Sequence, residues 1–133
     1  MAGAYLPRNM LKRLTIVLSL SLLLAAPARA VEGVAPFDND LARLSEILGA
    51  LHYLRAVCNS KDGQKWREQM EALVDAEAPT GERKQRMVAS FNRGYRGFQQ
   101  TYRTCTPAAD IAIRRYLDEG ARISRDITAR YAN

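Results

Sequence analysis

One histidine, two cysteines and twenty lysines and arginines are the residues of this 133-residue chain that invite a chemical reading. His52 is the single imidazole, so any nucleophile–base pair or metal site built on histidine has to use it. Cys58 and Cys105 have no second cysteine or histidine at ligand spacing beside them, which argues against a metal or a reactive thiol. A small helical protein with His52 and Met70 or Met87 invites comparison with haem proteins that use His and Met axial ligands. His52 falls in the middle of a helical pattern, however, and no Cys-x-x-Cys-His attachment motif exists. Glu68 with Glu71, and Asp118 with Glu119, are neighbouring carboxylates on solvated helix faces, where nothing raises a pKa for acid catalysis. There is no glycine-rich phosphate loop. The expectation is a protein that is not an enzyme and carries no metal or cofactor.

The N-terminus supplies the context in which the cysteines are read. Arg8, Lys12 and Arg13 precede an apolar run, Leu14 to Ala26, and Ala28-Arg29-Ala30 offers small residues to a signal peptidase. The apolar run is about 13 residues, against about 20 for a spanning helix. Residues 1–30 therefore read as a cleavable signal peptide cut after Ala30, with a membrane anchor as the weaker reading. No cysteine follows the apolar run and no twin-arginine pair precedes it, which argues against a lipoprotein and against export in the folded state. In an oxidising compartment an even pair of cysteines reads as one disulfide, Cys58–Cys105, with two buried thiols as the alternative.

Removing the leader changes the charge. The whole chain has a formal net charge of +6, but residues 1–30 hold four basic residues and no acidic one, so the remainder carries +2. The high sequence pI of about 9.7 thus belongs mostly to the leader and is poor evidence for nucleic-acid binding.

Residues 31–37 (VEGVAPF) read as a linker, and 38–133 as a helical domain. Four segments have three-and-four apolar spacing, and none alternates with period two. The first opens at Asp38 or Asn39 as N-cap and carries Leu41, Leu44, Ile47, Leu48, Leu51, Leu54, Val57 and Cys58. Asn59 to Gly63 is a turn, and a second helix carries Trp66, Met70, Leu73 and Val74. Thr80 can cap a third helix with Met87, Val88, Phe91, Tyr95, Phe98 and Tyr102 on its stripe. Thr106-Pro107 opens a fourth, carrying Ile113, Tyr116, Leu117, Gly120, Ile123, Ile127 and Tyr131. The class is all-α, an antiparallel up-down four-helix bundle with one disulfide. In that topology the ends of the first and third helices share a pole, which suits a Cys58–Cys105 bridge.

Charge and glycine single out the third helix. Residues 31–82 carry a net −5 and residues 83–133 a net +7. Arg86, Arg93, Arg96 and Arg103 form a stripe that can pair across a hairpin with Glu68, Glu71 and Asp75 of the second helix, or stay available to an anionic partner. Ser90, Gly94, Gly97 and Thr101 form a stripe of small residues, and each helical glycine costs about 1 kcal/mol relative to alanine. Close approach of a neighbouring helix or of a partner is the reason such residues call for. Arginine, glycine and aromatics in Phe91–Phe98 would suggest RNA in a disordered chain, but here the aromatics share a helical stripe and export removes most RNA.

Leu51-His52-Tyr53-Leu54-Arg55 with Cys58, Trp66-Arg67 with Met70, Phe91-Asn92-Arg93-Gly94-Tyr95 with Phe98 and Tyr102, Cys105-Thr106, and Tyr116 with Glu119-Gly120 make a recognisable series. It resembles a family of small exported alphaproteobacterial proteins of unknown function, over roughly residues 40–131. The resemblance implies a Gram-negative periplasm and paired cysteines, and implies no enzyme activity. The Leu-Thr-x-x-Gln motif of bundle-type envelope stress sensors is absent. Together these readings favour a periplasmic binding or accessory protein of the cell envelope. It would contact an envelope protein through Arg93, Tyr95, Arg96, Tyr102 and Arg103, bind no nucleic acid, and have no stable membrane span after signal cleavage. The rival readings are a carrier of a small apolar or anionic ligand, and an enzyme of unrecognised type.

Overall fold

A computed structural model describes residues 34–132. The expected signal peptide, residues 1–30, and the first residues of the expected linker lie outside the described residues. The chain forms four helices, α1 (Asp38–Val57), α2 (Gly63–Glu77), α3 (Gly81–Thr101) and α4 (Pro107–Tyr131), and no strand among the described residues. None of these helices is long and apolar enough to cross a membrane.

The bundle is organised around α1, which packs against each of the other three. The sequence of α1 explains this role, because its apolar and small residues occupy more than one side. Leu44, Ile47, Leu51 and Leu54 join Ala109, Ile113 and Ile123 of α4 in one core cluster. Leu41 and Leu48 join Met70 and Val74 of α2, Ala78 just past it, and Met87 of α3 in a second. Ser45 and Gly49, both buried, make a third line along α1 that faces α3. A helix apolar on several sides is a buried helix, and α1 is the core element here.

The closest packing is between α1 and α3. A Cβ on Gly49 would overlap the Phe91 carbonyl oxygen and stand 3.1 Å from its Cα. A Cβ on Gly94 would overlap the Glu46 carbonyl oxygen and stand 3.1 Å from the Ala50 nitrogen. Two Ser-x-x-x-Gly sequences, Ser45 to Gly49 and Ser90 to Gly94, therefore let the two backbones touch. Gly97, expected to serve the same purpose, has no neighbour among the described residues within 4 Å of its Cβ position.

The caps differ in kind. Thr106 accepts from the Ala109 N–H at 3.2 Å and Pro107 follows it in the first turn of α4, as the sequence predicts. At α1 the cap residue is Phe37, one before the expected pair, and Asp38 is instead buried. Its carboxylate accepts from Ala35 N–H at 2.8 Å and pairs with Arg83 at 2.6 Å and Arg86 at 3.5 Å, tying the start of α1 to the start of α3. Thr80 occupies the cap position of α3 without a side-chain hydrogen bond. Phe37 packs on Tyr131 with 5.1 Å between ring centroids.

The Cys58–Cys105 disulfide closes the pole where α1 ends and α3 passes to α4. The adjoining turn is held by Arg55, whose Nε and Nη2 donate to the Asp62 carboxylate at 2.9 and 2.8 Å. Asn59 there takes a positive φ of 55°.

Candidate binding surfaces

Because α3 lies along α1 and touches α2 only slightly, a broad side of α3 is left uncovered by the described residues. Arg93, Arg96 and Gly97 line a shallow concavity there with Ala89, Asn92 and Gln100. The arginines of this helix divide into two groups. Arg83 and Arg86 are taken up by Asp38, and Arg93 reaches Glu46 at 3.2 Å while its side chain stays 62 % exposed. Arg96 is exposed and has no ion-pair partner among the described residues, and the same holds for Arg103 just beyond the end of the helix. The acidic face of α2 is not what balances α3. Glu71 pairs with Arg67 of its own helix at 3.2 Å, and the carboxylates that meet α3 come from α1. The reason is geometric: the long contact of α3 is with α1, so its arginines reach acids there.

The expected contact residues do not form one surface. Arg93 and Arg96 stand together on the outer side of α3. Tyr95 turns inward, with its ring 5.5 Å from His52 and 5.3 Å from Tyr53. Tyr102 follows the last residue of α3, stacks on Phe98 at 5.9 Å, and its carbonyl accepts from the Tyr53 hydroxyl. Arg103 lies in the connection to α4 rather than on the helix. His52 is equally occupied: Nδ1 donates to the Gly63 carbonyl at 2.8 Å, and the ring lies against Phe91 and Tyr95. Val88, assigned to the buried stripe, is exposed, and Ser90 and Gly94 take that side.

A second concavity is one the sequence reading did not anticipate. No Cα of α3 comes within 8 Å of α4, and the space between the two helices is bridged by aromatic rings. Phe98 meets Tyr116 edge-on at 5.4 Å. Beside this contact opens a cleft of about 380 Å³, lined by Arg43, Phe98, Tyr102, Ala108, Ile111, Ala112, Arg115, Tyr116 and Glu119. Arg43 rises from α1, lies 5.5 Å above the Tyr116 ring, and donates from Nε and Nη2 to both Glu119 oxygens at 2.8 and 3.0 Å. These hydrogen bonds hold the Glu119 carboxyl below its ordinary pKa and raise that of the Arg43 guanidinium, so the pair stays charged. Arg115 has no ion-pair partner among the described residues, and Ile111 is half exposed at the edge. The signal for this site was present in the sequence as Arg43, Tyr116 and Glu119, but the residues are 73 to 76 positions apart or on faces read as core.

No curated protein and no solved structure matches the chain. A family model described as Protein of unknown function (DUF2385) matches residues 36–131, which is nearly all of the helical domain described above, and the chain belongs to that family.

Proposed function

We propose that this protein works by binding rather than by catalysis, as a periplasmic accessory protein whose partner is another protein of the cell envelope. Its contact surface is the outer side of α3, where Arg93 and Arg96 flank Gly97. The observation that carries this reading is Gly97 itself. A glycine inside an exposed helix costs about 1 kcal/mol, and no neighbour among the described residues comes within 4 Å of its Cβ position. Close approach of a partner backbone gives that glycine a use, and the adjacent guanidiniums favour an acidic partner surface. The leader-like N-terminus and the disulfide both support action outside the cytoplasm. Tyr95 and Tyr102 are engaged in packing away from this concavity and are not part of the proposed contact.

Affinity capture from the native envelope tests the surface, comparing wild type with Arg93→Glu/Arg96→Glu. The reading expects one species to be recovered by the wild type and lost by the variant. Equal recovery from both proteins refutes the α3 surface.

A further inference from the structure

The cleft between α3 and α4 shares no lining residue with the outer side of α3, and its chemistry is different. Two stacked rings, Phe98 and Tyr102 with 12° between their planes, form one wall. Ile111, Ala112 and Tyr116 of α4 form the other. These apolar walls share the cleft with about as much polar surface, which suits a small organic ligand that has both an apolar body and a polar group.

Three charges line this cleft, and two of them are committed to each other. Arg43 engages both oxygens of Glu119, and its remaining Nη1 lies 3.5 Å from Glu46. Arg115 is the surplus cation, on an exposed side chain that needs no refolding to meet a ligand. A guanidinium fork matches a carboxylate in two parallel hydrogen bonds. The ionised Glu119 in the same cleft opposes a ligand with two or more negative charges. The requirements converge on one charge, a planar anionic group, and an apolar body.

We infer that the α3–α4 cleft is a binding site for a small monocarboxylate with an apolar or aromatic body, its carboxylate held by Arg115 and its body lying between Tyr102 and Ile111. Binding here needs no partner protein, so it stands or falls separately from the α3 surface.

The test uses the disulfide-bonded protein with 3-phenylpropionate as probe and 3-phenylpropionamide as its uncharged counterpart, followed by backbone amide NMR shifts. The carboxylate is expected to move Tyr102, Ile111, Ala112 and Arg115 saturably, with the amide about tenfold weaker, the equivalent of about 1.4 kcal/mol. Arg115→Gln should weaken the carboxylate about tenfold and leave the amide unchanged. Because Arg115 is exposed, the variant keeps the fold, and an unchanged spectrum away from the cleft verifies this. Absence of saturable shifts at these residues up to about 10 mM probe overturns the inference. So does equal affinity for acid and amide, or an Arg115→Gln protein that binds the acid as wild type does.

Discussion

Gly49 and Gly94 mark the place where α1 and α3 meet backbone to backbone, each lying against the main chain of the opposite helix. Neither position has room for a methyl group, because the atoms it would strike are carbonyl groups that cannot turn aside. Gly94→Ala and Gly49→Ala are each expected to destabilise the protein by roughly 3 kcal/mol, the upper range for overpacking. Gly97→Ala reports the opposite case. With open space around it, the change should stabilise by about 1 kcal/mol. Chemical denaturation of the three variants gives both signs in one series.

How much of this was legible in the sequence follows from what each signal measures. Apolar spacing located all four helices, because one-sided burial imposes a 3.6-residue period on α2, α3 and α4. The same rule does not reveal that α1 is central, since a helix buried on several sides loses the contrast that the rule reads. The small-residue stripe on α3 points to close packing, and Gly94 delivers it, but its counterpart Gly49 sits inside an apolar run that masks it. Charge counting offers α2 as the partner of the α3 arginines, beside an open anion-binding stripe, because helices that follow one another in sequence are expected to be neighbours along their length. Asp38 and Glu46 take the arginines because α3 runs beside α1. The α3–α4 cleft arises from a gap between helices, and gaps leave no periodic trace in sequence.

The Cys58–Cys105 bridge spans a sequence separation of 47 and fixes α1 to the start of the α4 connection. On the chain-entropy model a loop of that size contributes about 4 kcal/mol by restricting the unfolded chain. Cys58→Ser/Cys105→Ser should lose stability of that order while keeping its helical circular dichroism at low temperature. Thiol titration of denatured, unreduced protein should find almost no free cysteine.

Acid should weaken the fold through two carboxylates. The Arg55 guanidinium and Ser60 hydroxyl lower the Asp62 pKa from 3.8 to about 2, and Arg43 lowers that of Glu119. A carboxylate with a depressed folded-state pKa binds its proton more readily when unfolded. Its stabilising contribution is therefore present above about pH 4 and fades as the pH falls toward 2. Unfolding midpoints measured from pH 5 to pH 2 should fall for the wild type and fall less for Asp62→Asn/Glu119→Gln. Parallel curves for the two proteins contradict the assignment.

The outer side of α3 is tested most directly by a photoreactive residue placed at Gln100, which lines the same concavity as Arg96 and Gly97. Irradiation in the native envelope should join the protein to one discrete partner. Adding Gly97→Leu/Arg96→Glu fills the concavity and reverses a charge where the fold has open space. That variant should be at least as stable as wild type and yield no adduct. An adduct of unchanged size and amount from the filled, charge-reversed surface would contradict the account.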